Sequence, residues 1–180
     1  MGFELTLTRG LKPVTSVSFR GSYPTMFEPD LTYEQAAKFS RFDTANPLST
    51  CSIHPIFLEQ REWPTVEHYF QAQIVANPVL AEKISAAETP HLAYKLGSPW
   101  YRRKRKEWKN LRRVLMTRGL YTKCMMHPEV KQALLEIDPS QLIIETSAYD
   151  HYWGIGRDQR GINMLGKVWM DIRKKLQEEG

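Results

Sequence analysis

Two segments of this 180-residue sequence place polar side chains where packing alone would call for apolar ones. The first is Glu67-His68-Tyr69-Phe70-Gln71-Ala72-Gln73. On a helix beginning at Val66, with Thr65 as its cap, Val66, Phe70 and Ile74 line one edge, and Glu67 and Gln71 sit four apart on the next stripe. Glu67 then lies in the first turn, where free N–H groups and the helix dipole favour its charged form. A carboxylate held there beside Trp63 and Tyr69 suits a place where positive charge develops. A solvent-facing first-turn glutamate fits the same spacing. The second segment is Asp150-His151-Tyr152-Trp153-Gly154-Ile155-Gly156, continuing to Gly161-Ile162-Asn163. Gly154, Gly156 and Gly161 permit close backbone approach to a ligand, and the helix that follows turns its N-terminus toward them. Trp153 offers a flat face for a base or a ribose. A plain turn is the competing reading. Two carboxylates, an aromatic ring and a glycine loop suit cleavage of a glycosidic bond through an oxocarbenium-like state. One carboxylate would stabilise the cation while the other activates water, and the sequence alone does not say which.

Other chemistries fit less well. The glycines run GIGRDQRG with no second strand after them, which is not the dinucleotide fingerprint. His54, His68, His91, His127 and His151 form no HExxH or His/Cys cluster, so neither a structural nor a catalytic zinc is expected. No P-loop, GxSxG or kinase signature is present. Cys51 and Cys124 lack metal-ligand spacing and read as reduced thiols of a cytosolic protein. No apolar run approaches the roughly 20 residues of a membrane span, and the first residues lack the basic and apolar regions of a secretory signal. A cytoplasmic protein with no membrane partner is the expectation.

The net charge of +5 is uneven. Residues 102–118 hold nine basic side chains against Glu107 alone, a net +8, so the rest of the chain carries −3. Such a segment attracts phosphate, nucleic acid or an acidic partner, or it is simply a solvated helix face.

The elements that must position these residues are mostly helical. Residues 1–46 read as irregular, with a strand candidate at Val14 to Phe19 and a short helix from Leu31 to Phe42 capped by Asp30. Ile53 to Trp63 reads as a strand or hairpin arm. Helices are expected over Val66 to about Ala76, Pro78 to Ala87, and Thr89-Pro90 to Gly97. A long basic helix follows from about Pro99, with Trp108, Leu111, Val114 and Leu115 facing the core, and His127-Pro128 ends it. A short helix over Glu129 to Glu136 and a buried strand over Leu142 to Thr146 lead into the glycine loop. A last helix from Asn163 carries Leu165, Val168, Trp169, Ile172 and Leu176 on one stripe. With no βαβ rhythm, this is an α+β domain, predominantly helical, with a small sheet of short strands.

Several ordered motifs resemble the NADAR superfamily of YbiA-like N-glycosidases. Trp63 to Gln73 resembles the family's WPTxEHYFQAQ, Asp150 to Gly156 its DxxWGxG, and Gly161 to Gly166 its GxNxLG, with Glu145-Thr146 on the approach. Leu48-Ser49 and Pro55-Ile56 are weaker echoes. The resemblance covers residues 48–176. It implies an irregular N-terminal extension, residues 1–47, packed on a NADAR domain of residues 48–180. It also implies cleavage of N-glycosidic bonds in phosphoribosyl intermediates of riboflavin synthesis or in ADP-ribosylated guanine, without a cofactor. Glu67, Asp150 and Trp153 become the expected catalytic residues. Ser49, Trp63, Gln71, Lys123, Gly154, Gly156 and Asn163 would shape or line the substrate site. Arg102 and Arg103 would meet phosphate, so the expected partners are a phosphorylated riboside, ADP-ribose or ADP-ribosylated nucleic acid.

Three departures stand out. Ile74 replaces a lysine whose amine could attack an opened ribose aldehyde, and Lys123 or Lys95 could take over that part. Thr50 stands in the family's LSN, and Ser98 in its LGR, which removes an anion contact. A degenerate member that binds ADP-ribose or another nucleotide, or a nucleic-acid-binding protein working through its basic helix, is therefore the alternative to an active glycosidase.

Overall fold

A computed structural model describes residues 33–179. The strand candidate at residues 14–19 and the Asp30 cap lie outside them. Within the described residues the elements run β1 (Ala37–Phe39), β2 (Ile56–Leu58), β3 (Arg61–Trp63), α1 (Val66–Ile74), α2 (Pro78–Ser85), α3 (Pro90–Gly97), α4 (Trp108–Met126), α5 (Pro128–Leu135), β4 (Ile143–Glu145) and α6 (Met164–Glu178). None of these helices is long and apolar enough to cross a membrane.

Helix α1 is the centre of the molecule. Thr65 caps it by accepting from the His68 N–H, as its sequence position indicates. Eight of its nine residues are buried, packed among α2, α3 and α4. A helix covered on every side has no solvent to satisfy its polar residues, so Glu67, His68 and Gln71 must find partners inside. His68 does so between the Thr65 hydroxyl (2.8 Å) and the Ala87 carbonyl (3.0 Å). Asn77 and Thr89 cap α2 and α3, each followed by proline in the first turn.

The strands form two pairs. β2 and β3 make an antiparallel hairpin turning through Glu59 and Gln60, both at positive φ (53° and 59°). β1 and β4 are parallel, with Phe39 opposite Glu145. Over residues 33–42, the described part of the helix expected from Leu31 to Phe42, a turn and β1 stand in its place. Three residues are too few to show alternation, and their pairing partner lies over a hundred positions away.

The basic segment also departs from expectation. Residues 99–107 are irregular, and α4 starts only at Trp108, behind Glu107 in the left-handed region (φ 62°). Backbone bonds from Arg105 to the Ile74 carbonyl and from Ala76 to the Arg103 carbonyl hold this stretch extended against the end of α1. Leu111 and Val114 are exposed. The buried side of α4 runs instead through Leu115, Met116, Gly119, Leu120, Lys123 and Cys124.

Helix α6 closes the core against β4 with the expected stripe of Leu165, Val168, Trp169, Ile172 and Leu176. The Trp169 indole donates to the Leu48 carbonyl (2.9 Å). Arg173 hooks the α5–β4 connection by donating to the carbonyls of Asp138, Pro139 and Gln141.

Candidate active site

Two residues past β1, the chain turns Arg41 inward, where its side chain is 1% exposed. Its Nη2 donates to both carboxylate oxygens of Glu67 (2.9 Å each), and its Nη1 donates to Asp150 Oδ2 (2.9 Å). One guanidinium thus joins the two acids, although Arg41 and Asp150 are 109 positions apart. Its own backbone is pinned as well. The Arg41 N–H donates to Glu145 Oε1 (3.0 Å), while the Ser49 and Thr50 hydroxyls and the Cys51 N–H donate to its carbonyl.

Glu67 is fully buried and fully used. Besides Arg41, it accepts from the Thr50 hydroxyl (2.6 Å) and the Gln71 amide (2.8 Å). Burial alone would raise its pKa, but Arg41, Thr50 and Gln71 outweigh that and hold it below the usual carboxylate value. Burial likewise opposes the Arg41 charge, and Glu67 and Asp150 more than restore it. Asp150 is different in exposure: its side chain is 20% accessible. Oδ1 accepts from the N–H groups of Tyr152 and Trp153 (3.1 and 2.7 Å), which fixes the carboxylate at the head of the glycine loop.

A cavity of about 190 Å³ opens beside this cluster. Its lining brings Arg41, Asp150, Tyr152 and Trp153 together with Phe70, Gln71 and Ile74 of α1, Tyr94 and Ser98 from the α3 end, and Lys104, Trp108 and Arg112. Trp153 is wedged edge-on against Phe70 (5.4 Å) and Tyr152 (4.8 Å). The Arg112 guanidinium lies over the Tyr152 ring at 3.1 Å, and its Nε, shielded from solvent, finds no acceptor among the described residues. Lys104 reaches the Gly97 carbonyl, and burial together with Arg102 lowers its pKa.

The expected residues therefore divide. Asp150, Trp153 and Gln71 line the cavity. Glu67 stands directly behind it and acts on it through Arg41. Ser49 and Lys123 support from further back: the fully buried Lys123 amine donates to the Ser49 carbonyl (2.7 Å) and the Ser52 hydroxyl (2.5 Å), and burial brings its pKa down to about 7. Neither lines the cavity, and Lys95 is exposed. Among the described residues, Lys104 supplies the one lysine amine on the lining that Ile74 shares. Trp63 packs on the far side of α1, edge-on to Tyr69 (5.5 Å), with its indole bonded to the Leu58 carbonyl. Arg102 is half-buried, with its guanidinium over the Tyr101 ring, and Arg103 is exposed beside a separate groove with Lys104 and Lys106.

The glycine loop serves packing before it serves a ligand. A Cβ on Gly154 would stand 2.0 Å from Glu145 Oε2, and Gly156 has φ +69°. Asn163 clamps β4, accepting from the Glu145 N–H (3.0 Å) and donating to the Ile143 carbonyl (2.9 Å). The N–H groups of Asn163, Met164 and Leu165 donate to the carbonyls of Gly154, Tyr152 and Trp153. The start of α6 is thus occupied by the loop's own backbone and offers those donors to nothing else. Glu145, known from sequence only as the approach to this loop, is the buried hinge of the arrangement. Burial raises its pKa against the bonds from the Arg41 and Ser147 N–H groups.

Arg41, Tyr94 and Lys104 carried no sequence signal of their own, and Thr50 stood out only as a departure from the LSN motif. Arg41 lies in an unpatterned stretch, and Lys104 was one lysine within a run of charges.

A profile of the NADAR domain matches residues 28–177. N-glycosidase YbiA of Escherichia coli (strain K12) is 33% identical over 138 residues, spanning 77% of this chain and 86% of its own. The NMR structure of the E. coli YbiA protein superposes with a TM-score of 0.71 at 30% identity, covering 81% of this chain and 88% of that one. An N-glycosidase of Nostoc punctiforme is 33% identical over 131 residues, 71% of this chain and 83% of its own. A chloroplastic riboflavin biosynthesis protein of Zea mays is 30% identical over 155 residues, only 24% of its own length.

Proposed function

The chain belongs to the NADAR domain family, and from that premise we propose that it is an N-glycosidase cleaving the ribose C1–N bond of a phosphorylated or ADP-ribosylated riboside. The observation that carries the reading is Arg41, buried between Glu67 and Asp150 at the edge of a cavity that Lys104 and Arg112 also line. Within this cluster two carboxylates meet one guanidinium, a local net −1 whose cavity-lining acid, Asp150, favours an oxocarbenium-like ribose, while the positive charges of Lys104 and Arg112 lie elsewhere on the lining. Trp153 walls the sugar. Lys104 and Arg112, the latter with a free buried donor, face the phosphate. Asp150, the acid that reaches the cavity, takes a proton from water as water's oxygen bonds C1. The C1–N electron pair leaves with the base, and the proton that Asp150 took from water is passed to it, which restores the carboxylate. Glu67 positions Arg41 and, through it, Asp150.

The test is incubation with a phosphoribosylaminopyrimidine and with an ADP-ribosylated guanosine oligonucleotide, followed by mass analysis. Sugar phosphate or ADP-ribose should appear together with free base, and Asp150→Asn should slow release about 10²–10⁴-fold. No release from either substrate would sink the proposal.

One observation favours a second reading. Ile74 gives the cavity lining an aliphatic group where the resemblance expects an amine. A binding protein for ADP-ribose or a related nucleotide would show saturable binding without turnover, and Ile74→Lys should then restore some rate.

A further inference from the structure

A second cavity, of about 520 Å³, meets the first at Tyr94 and Asp150. The two differ in chemistry. The first is faced by Arg41, Lys104 and Arg112. Among the described residues the second has no basic side chain on its lining, which Phe42, Tyr94 and Tyr149 share with Thr146, Ser147 and Asp150. Phe42 is held edge-on to Tyr94 at 4.9 Å and lies under the Arg41 guanidinium at 5.2 Å, so its ring is fixed in place. Tyr149 is 90% exposed, a large aromatic ring left in solvent at the rim. Its backbone is not loose, because the neighbouring Ala148 carbonyl accepts from the Arg157 N–H (2.8 Å).

We infer that this aromatic cavity is the leaving-group subsite and takes a planar nitrogen heterocycle. The inference rests on the glycosidase reading above and adds the direction in which substrate lies. A phosphorylated riboside has an anionic end, a sugar and a flat base, and the bond to be cut joins the last two. The acid serving that bond must stand where the sugar and base sites meet, and Asp150 is one of the two residues common to both cavities. At about 190 Å³ the first cavity is smaller than the roughly 300–1,000 Å³ usual for a small-molecule site. It has room for a sugar phosphate and leaves the base to find space elsewhere. The second cavity falls inside that range, and its rings offer stacking faces, with Asp150 at the junction the one charged side chain on its lining among the described residues. Phosphate therefore points toward Lys104 and Arg112, and the base toward Phe42 and Tyr149.

Binding of the separate halves tests this without turnover. 2-Aminopurine, followed by its fluorescence, stands for the base, and ribose 5-phosphate, followed by calorimetry, stands for the sugar phosphate. Tyr149→Ala should weaken 2-aminopurine binding about 10- to 100-fold. Ala148→Trp, which fills the cavity from an exposed position, should abolish it. Both should leave ribose 5-phosphate affinity within about twofold, and Lys104→Gln should show the opposite pattern. The subsite is overturned if 2-aminopurine does not saturate the wild type, if both aromatic-cavity variants bind it normally, or if Lys104→Gln weakens it as much as Tyr149→Ala. Base and sugar phosphate binding in this pattern without cleavage of any riboside would uphold the subsite while removing the glycosidase reading.

Discussion

Arg41 carries a full charge into an interior that tolerates it only because two carboxylates and a set of hydrogen bonds accompany it. Removing one member should therefore cost far more than removing the pair. Arg41→Met strands the Glu67 carboxylate and is expected to lose about 3–5 kcal/mol in urea unfolding. Arg41→Met with Glu67→Gln should recover most of that loss, since Thr50 and Gln71 remain to bond a neutral amide. If the double variant is as unstable as Arg41→Met, the ion pair is not what holds this corner. Lys123 gives a related expectation. Its amine is enclosed by Ser49 and Ser52 away from the cavity, so borohydride added during turnover should leave Lys123 unmodified in peptide maps. A ribosyl adduct on Lys123 would contradict the geometry. At this scale the sequence made Glu67, Asp150 and Trp153 legible, because each sits in a motif. Arg41 was invisible, because what makes it functional is a partner 26 positions away and another 109 away.

The helices were legible for a local reason: prolines and capping residues mark their ends, and α1, α2, α3, α5 and α6 all fall within a few residues of the expected spans. The basic stretch was misread because its charge pattern suits a helix. Three-dimensional pairing with the end of α1 decides otherwise over residues 103–105, and no local rule contains that pairing. Two predictions belong to elements. The β4–loop joint leaves no room at Gly154, so Gly154→Ala should destabilise by about 1–3 kcal/mol and lower activity as it displaces Glu145. Gly156→Ala meets the exposed His151 ring, which can move, and should cost about 1 kcal/mol, mainly from its φ of +69°. In α4, Lys123 titrates near 7 when folded against an ordinary value of 10.5. Between those values the unfolded chain holds a proton that the folded one lacks, so stability should rise with pH through this window. Below about 7 the group adds no pH dependence. Over pH 7.5–8.5 wild type should gain up to about 1.4 kcal/mol per pH unit relative to Lys123→Met. Parallel stability curves for the two proteins would show that Lys123 keeps an ordinary affinity for protons.

Across the whole molecule, the +8 carried by residues 102–118 is spread over several surfaces, with Arg113 and Arg118 paired to Asp171 and Glu59. Lys104 and Arg112 face the cavity, while Arg103 and Lys106 border a separate groove of about 720 Å³ beside Asn77. An oligonucleotide substrate would have its modified nucleotide in the first and neighbouring phosphates along the second. Arg103→Glu with Lys106→Glu should then flatten the salt dependence of oligonucleotide binding by about 1.4 in log–log slope, at about 0.7 per lost single-strand contact. Stability should change by less than about 0.5 kcal/mol, since both side chains are exposed. An unaltered slope would leave the outer groove as a solvated surface. The sequence displayed this charge density plainly but not its division, because which side of an irregular stretch faces inward depends on the neighbours it packs against.

The pairing of β1 with β4 has a consequence for how the protein comes into being. A chain emerging from the ribosome would hold Arg41 and Glu67 long before Asp150 exists, and β1 has no partner until residues 143–145 appear. Closing so long a segment is slow but not prohibitive, because the entropy cost grows only with the logarithm of its length. Until then Arg41 and Glu67 have only each other, and the cavity lacks the wall that Trp153 and Asp150 provide. A nascent or C-terminally clipped chain ending before residue 150 therefore has neither the completed Arg41 cluster nor a closed cavity, however well its first three helices have formed.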